Sequence, residues 1–511
     1  MRTASMRWTV GLAMVLVTAN CGLGDIRVAP AFGDHMVLQR GMAVPIWGTA
    51  AAGQKVTVTF AGQTKTATAD KDGTWTLRLD PLKASAEGRP LVVTSSSDNR
   101  QSTINDILVG EVWVGSGQSN MAGGTGGYAR RDEVLAGMVK AAPYPKLRLY
   151  KRGWKEATAA NINGFSALLF SFGQPLQKAL GVPVGLIVGA VGGTPSGRWL
   201  SPQMLAADAA CQAALKKAGI GSLDDQKARY AEALAKWQQA VKAAKAAGKR
   251  PPRRPRGPIR VGDLYAAHIA PVVPYGIRGV LWDQGESGTA VRAIDQFTMM
   301  GALIKGWRTA WGQGEFPFLY VQKPSGGGCA WDTRDPVTRM ANPFSDQPAR
   351  PNRAADGMYR HHHVRIARHP KTAMVTASDL GSGVHPVNKS GYGKRACRVA
   401  LGFVYGRTVE IYGPVYASHK VQGSTVRVSF THVGKGLAFR HGQKLQGFEI
   451  AGDDGAYHWA DAKIDGQTVV LTSDKVARPV NARYGWSTRS RTWANLFNKD
   501  GLPALTFRTD K

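Results

Sequence analysis

Hydrophobic positions along the chain fall into three successive textures. Over residues 25–108 they alternate with polar positions in short runs, at 36–38, 44–47, 55–60 and 74–79. Turn signals at Gly33-Asp34, Ala52-Gly53 and Asp72-Gly73 separate these runs, so the stretch predicts a small all-β sandwich with its own core. From Ile107 the runs become wholly apolar, the pattern of strands covered on both faces. Residues 107–114, 184–191 and 279–282 are of this kind, 147–150 is a further strand, and 165–180 has the period of an amphipathic helix. Three of these strands run into polar, Gly-containing loops: Gly115-Ser116-Gly117, Gly192-Gly193-Thr194 and Asp283-Gln284-Gly285-Glu286. Strands alternating with helices predict a doubly wound parallel sheet, whose ligands sit beyond the carboxyl ends of the strands. The candidate chemistry then lies on one edge. From about Val404 strands return, at 426–430, 448–450 and 468–471, and predict a second β layer closing onto the sheet through Trp486 and Trp493. There is no internal tandem repeat.

Two stretches interrupt this plan. Residues 223–247 make a good helix by propensity, with Tyr230, Leu234, Trp237 and Val241 on one face. The tract KRPPRRPRGPIR at 249–260 follows, Pro-punctuated, basic, and expected to be extended or flexible. Together (205–260) they read as a solvated basic excursion, with an anion-binding flap or a cell-surface tether as the functional alternative. Residues 323–370 form a loop-rich insertion and a candidate wall of the cleft. Its His361-His362-His363 cannot all face one metal from a regular element, and no carboxylate or Cys pattern joins them, so no metal is expected.

Composition changes the picture in two places. At 511 residues, 43% hydrophobic, with 61 Gly and 14 Trp, the chain is globular and long enough for about three domains. A formal charge of +31 favours acidic partners such as an anionic glycan. No zinc-finger, helix-turn-helix or RNA-binding signature accompanies it, so nucleic acid is not expected. The first residues have the order of a secretory signal: Arg2 and Arg7, an apolar run at 8–17, then small residues around Ala19. A secreted or periplasmic location is expected, with lipidation at Cys21 as an alternative that Asn20 disfavours. No later segment has 18 uninterrupted apolar residues, so no transmembrane span is expected. The four cysteines, Cys21, Cys211, Cys329 and Cys397, are not a disulfide framework and leave room for one unassigned bridge.

A serine raised on a Gly-bounded turn at a strand's carboxyl end is where an α/β protein displays a nucleophile. Ser119, in VGEVWVGSGQSNM, is that serine. Acyl transfer also needs a base and donors for an oxyanion. The N–H of Ser119, the N–H of Gly192 or Gly193 and the side-chain amide of Gln284 are the candidate donors. Gln118, Asn120 and Glu286 support the site, Glu286 by orienting Gln284 or its loop.

The string GQSNM after a VGEVW strand resembles the nucleophile block of SGNH-type carbohydrate esterases, specifically the sialate O-acetylesterase family. So do MVLQRGMAVPIWGTAAAGQKVTV near the start, GVLWDQGES, the block GSGVHPVNKSGYGKRA, and the closing YGWSTRSRTWANLFNKDGLPALTFRTDK. The resemblance makes His385 the base and implies a serine esterase that removes acetyl groups from carbohydrate hydroxyls without metal or organic cofactor. It implies an SGNH-type sheet at 108–204 and 261–403, after a signal at 1–22, flanked by sandwich-like β domains at 23–107 and 404–511. One feature departs from the pattern. SGNH esterases place an Asp two or three residues before this His, where this chain has Gly383 and Ser382. The nearest upstream carboxylate is Asp379, which leaves three readings open: Asp379 reaches round to complete a triad, a backbone carbonyl orients His385 in a dyad, or the enzyme is impaired. Acetylated plant or algal polysaccharide such as acetylxylan is the alternative substrate, and a non-catalytic glycan-binding protein the alternative function.

Overall fold

The computed structural model describes residues 26–95, 100–351, 355–486, 488 and 492–510. The expected signal and Cys21 lie outside these residues.

One 17-residue strand, β1 (Gln101–Gly117), belongs to two layers at once. Its first half pairs antiparallel with Ser85–Ser95 and parallel with Val37–Gln39, among the β-strands of the N-terminal region. Its second half is the centre of a larger sheet. The other members of that sheet are β2 (Tyr144–Tyr150), β3 (Trp154–Ala157), β4 (Val184–Ala190), β5 (Gly279–Asp283), β6 (Phe318–Val321) and β7 (Thr372–Val375). They lie in the order β3-β2-β4-β1-β5-β6-β7, all parallel except β3 against β2. From β1 the chain builds outward on one side and then returns to build on the other. The reversal puts a crevice at the carboxyl end of β1, between β4 and β5.

The apolar runs are continuous because both faces are covered. Val112, Val114, Val280, Trp282, Phe318, Tyr320 and Met374 point into one core, and Trp113, Leu281, Leu319, Val321, Ala373 and Val375 into the other. Three helices close these cores: α1 (Ala167–Leu180), α2 (Gln296–Trp311) and α3 (Lys389–Phe403). Helices α1 and α3 bury Leu168, Phe172, Tyr392 and Ala396 on the second face, while α2 buries Met299, Leu303 and Trp307 on the first. Trp282 meets Trp199 and Trp307 edge-on, with ring centroids 6.1 and 6.0 Å away. Glu111, fully buried in β1, joins the layers by pairing with Arg40 (2.6 Å) and Arg278 (2.7 Å). Burial alone would raise its carboxyl, yet the two guanidiniums outweigh that and hold it below the usual range.

Two expectations need correcting. Gly115-Ser116-Gly117 is not a turn after a strand ending at Val114. It is the last part of β1, laddered to Val188, Gly189 and Ala190 on one side and to Leu281, Trp282 and Asp283 on the other. Residues 323–370 are not wholly loop: Ala355–Ile366 is a helix, whose sequence ADGMYRHHHVRI shows little apolar period. Tertiary packing supplies what periodicity does not, because Gly357 lets this helix lie directly on Trp486.

C-terminal to α3, two four-stranded antiparallel sheets share one apolar core that includes Val426, Val469, Phe448 and Tyr484. Cys211, Cys329 and Cys397 are separate buried thiols. Among the described residues no helix is long and apolar enough to cross a membrane.

Candidate active site

The sharp exit from β1 depends on one glycine. Gly117 has φ +126, and a Cβ there would lie 2.1 Å from the Asp283 carbonyl oxygen, so no side chain fits. Gln118 N–H then donates to that same carbonyl at 2.8 Å. Ser119 follows as the first residue of a one-turn helix, Ser119–Ala122, where its N–H has no partner one turn back. The Ser119 hydroxyl projects into the crevice at the end of β1. Across it, His385 Nε2 stands 2.9 Å from Ser119 Oγ, within proton-transfer reach.

The loop after β4 lies alongside. A Cβ at Gly192 would be 3.5 Å from Ser119 Cβ, and Gly193, at φ +68, lines the same cavity. The structure does not give Gln284 the expected place. Its side-chain amide donates to the Thr194 (3.3 Å) and Gly288 (2.8 Å) carbonyls, its oxygen accepts from Gln296 (3.1 Å), and it is fully buried. Gln284 therefore braces the loop after β4 against the loop after β5 and has no N–H left for an oxyanion.

Asp379 is displaced from its expected role more completely. Both carboxylate oxygens are taken by Arg395 of α3, at 3.1 and 2.8 Å, in a fully buried bidentate pair. A Gly-rich loop separates it from His385, but the guanidinium fork fixes the carboxylate toward the helix. Among the described residues the only hydrogen bond of His385 is to Ser119.

Glu286 orients the nucleophile turn and not Gln284. It accepts from Gln118 Nε2 at 2.8 Å and from Asn120 Nδ2 at 3.2 Å, one on each side of Ser119. Asn120 Nδ2 also donates to the Val384 carbonyl at 3.0 Å, tying the turn to the residue before His385. Two lysines without a role in the sequence reading complete this layer. Lys323, just after β6 and fully buried, has Nζ 2.7 Å from Asp283 Oδ1 and 2.9 Å from Glu286 Oε1. Burial would lower its ammonium, but the two carboxylates raise it well above the ordinary value and Lys323 stays charged. Lys389, at the start of α3, donates to Asn120 Oδ1 (2.8 Å) and to the Pro386 carbonyl (2.7 Å), under the rings of Tyr128 and Tyr392. Burial pushes its ammonium down to about 7, against Asp283, Glu286 and Asp132, which raise it, and Lys323, which lowers it further. The Asn-Lys pair after His385 was the available signal for Lys389. Nothing in the local sequence marks Lys323.

Lys389 makes stability depend on pH. Between about 7 and the ordinary lysine value near 10.4, the unfolded chain binds a proton at Lys389 that the folded chain does not. Stability of the wild type relative to Lys389→Met is therefore expected to rise with pH from 7 to 10. Urea unfolding of both proteins at several pH values measures it.

A cavity of about 820 Å³ opens over Ser119 and His385. Its far wall is the Ala355–Ile366 helix, through Asp356, Met358, Tyr359 and His362. The Tyr359 hydroxyl donates to the Gly285 carbonyl and so fixes this wall to the loop after β5. The three histidines diverge: His362 lines the cavity, His361 lies near Trp486, and His363 is buried, its Nδ1 accepting from Lys323 N–H at 3.3 Å. Burial lowers all three, His361 to about 4 and His363 to about 3, so they are neutral at neutral pH. Among the described residues the cluster close enough to share a metal is elsewhere, at His35, Asp106 and Glu156. There Arg148 already pairs with Asp106 at 2.8 Å and with Glu156 at 3.6 Å.

Residues 109–248, which contain Ser119, Gly192 and Gly193, match the family model described as carbohydrate esterase, sialic acid-specific acetylesterase. The chain is 27% identical to the sialate O-acetylesterase of Rattus norvegicus, over 94% of this chain and 93% of that protein. It is 26% identical to the sialate O-acetylesterase of Homo sapiens, over 94% and 91% respectively. Its structure is similar to that of a carbohydrate acetylesterase from Xanthomonas citri, with a TM-score of 0.72 and 27% identity, over 95% of this chain and 100% of that one.

Proposed function

We propose that this chain, a carboxylic ester hydrolase of the sialate O-acetylesterase kind by its likeness along nearly its whole length, is an exported serine esterase that removes O-acetyl groups from carbohydrate. The observation that carries the mechanism is the 2.9 Å approach of His385 Nε2 to Ser119 Oγ at the mouth of the cavity. In this reading Ser119 Oγ attacks the acetyl carbonyl while His385 takes its proton. The tetrahedral oxyanion rests on the N–H of Ser119 and the N–H of Gly192 or Gly193, each donor lowering the barrier by about 3–4 kcal/mol. Collapse breaks the bond from the acyl carbon to the sugar oxygen, which takes the proton from His385 and leaves as a hydroxyl. Water, deprotonated by His385, then attacks the acetyl-Ser119 ester, and Ser119 Oγ takes that proton as acetate is released.

His385 works here in a dyad. Asp379→Asn is accordingly expected to leave kcat on 4-nitrophenyl acetate within about tenfold of wild type, against the ~10⁴-fold loss when a triad carboxylate is removed. Its effect falls on stability, through the buried Arg395 left without its anion. A loss of ~10² or more in kcat, with the fold intact by circular dichroism, would return Asp379 to the triad.

The reading as a whole is tested by acetate release from 4-nitrophenyl acetate and then from a panel of acetylated sialate, xylan and other glycans. Turnover names the substrate. No turnover on any ester moves the protein to the glycan-binding alternative.

A further inference from the structure

The basic insertion is a solvated excursion, as expected, and its helix and tract are folded on each other. Its 24-residue helix, Leu223–Ala246, buries no residue in the body of the protein. The basic tract instead returns along it. Trp237 Nε1 donates to the Pro252 carbonyl at 2.8 Å, Gly257 lies against Tyr230, and Ile259 N–H donates to Gln226 Oε1 at 3.3 Å. As the tract advances its partners step back along the helix, so the two run antiparallel as one projecting arm. Arg254 lies over the Trp237 ring at 5.9 Å. The arm is rooted beside the active site. Asp263, at its base, pairs with Arg198 at 2.5 Å, and Ser196 N–H in the same turn donates to the Gly288 carbonyl on the cavity wall at 3.0 Å.

Residues 233–262 hold nine Lys and Arg and no Asp or Glu, against a formal excess of +31 for the whole chain. Lys242, Lys245, Lys249, Arg250, Arg253 and Arg256 are exposed, and among the described residues none of them is in an ion pair. Like charges are thus concentrated on the outer part of the arm, beyond Glu232, which pairs with Lys236 at 2.6 Å nearer the root. Prolines 251, 252, 255 and 258 keep the tract extended, at about 3 Å per residue, so its cations form a row.

We propose that this arm is a docking site for an anionic polysaccharide, a linear chain bearing carboxylate or sulfate groups. A row of cations on an extended backbone matches a flexible polymer with repeating charge. A bilayer is the poorer partner, because membrane-surface helices insert an apolar face and Trp237 is covered here by Pro252 and Arg254. Single-stranded nucleic acid would stack on exposed aromatic rings, and Trp237 here is half-buried with Arg254 over its ring, which makes it a poorer platform. The described cavity lining includes the carboxylates Asp356 and Glu286 and no Lys or Arg, so the attraction for acidic polymer lies on the arm and not at the reacting sugar. The choice of a polysaccharide rests on the acetylesterase reading, whereas binding is measured separately from it.

The test uses the full chain and Arg250→Ser/Arg253→Ser/Arg256→Ser, which spares Arg254, Trp237 and every residue of the site. Binding to polygalacturonate is measured at low and at 0.5 M salt by titration calorimetry. The wild type is expected to bind at low salt and release at high salt, and the triple variant to bind at least ~10-fold more weakly. Both should hydrolyse 4-nitrophenyl acetate equally, which shows the variant folded. Equal polygalacturonate binding by variant and wild type, or none by the wild type, overturns the proposal. Tighter arm-dependent binding to a DNA duplex or to phosphatidylserine vesicles than to polygalacturonate overturns the polysaccharide assignment. Absence of ester hydrolysis with arm-dependent binding intact rejects the esterase reading and leaves the docking site standing.

Discussion

Ser119→Ala is expected to lower kcat/KM for acetyl ester hydrolysis by about 10⁴-fold or more, His385→Ala by a similar factor, and the double variant by no more than either alone. The non-additivity follows from the geometry. The hydroxyl of Ser119 is a weak nucleophile until its proton has somewhere to go, and His385 Nε2 at 2.9 Å is the acceptor in place. Without the hydroxyl the imidazole has nothing to activate, and without the imidazole the hydroxyl stays protonated. Stability should hardly change, within about 0.5 kcal/mol. Ser119 Oγ faces the cavity, His385 is exposed, and neither fills a core. Steady-state kinetics and thermal melts of the three variants separate lost chemistry from lost structure.

Lys323→Met carries the largest expected cost in stability, about 3–5 kcal/mol at neutral pH. Asp283 and Glu286 are two buried carboxylates that share this ammonium, at 2.7 and 2.9 Å. Removing it leaves like charges facing each other in a buried layer. The pair responds by holding a proton, so its shared carboxyl pKa moves above the unfolded value. The sign is then fixed: a raised carboxyl pKa gives stability that is present at low pH and lost as pH rises. The deficit of the variant against wild type should be smaller at pH 5 than at pH 8 in urea unfolding. Activity should fall as well, because Glu286 must be an anion to accept from both Gln118 and Asn120. A deficit that is small, or that grows toward acid pH, would contradict this view of the buried layer.

What could be read in the sequence was what periodicity and backbone chemistry impose locally. The four apolar strands around the site, the helix over 165–180 and each strand read in the two β regions fall within a few residues of the observed elements, while others there, such as Gln63–Thr68, Ser85–Ser95 and Val415–Gln422, went unread. Strands β6 and β7, four residues each on the far side of β5, went unread. The three strand-end loops were placed on one edge because parallel sheets bring carboxyl ends together, and in the structure Ser119, Gly193 and Glu286 do line one cavity. The commitments of side chains were not legible. Gln284 and Asp379 have the right chemistry at plausible spacing, yet Thr194 and Arg395 claim them from elements that only the fold brings near, and Gly288 of its own loop takes the other N–H of Gln284. Lys323 pairs with Asp283 forty residues upstream, and no local pattern encodes such a contact.

The most direct single measurement is covalent trapping. The full-length protein is treated with a fluorophosphonate, digested, and the adduct mapped by peptide mass spectrometry, with His385→Ala in parallel. The expected result is one adduct, on Ser119, in the wild type, and at least ~10²-fold slower labelling of that serine without the imidazole. Labelling on another residue, or a Ser119 adduct that forms equally fast in His385→Ala, would contradict the Ser119–His385 dyad.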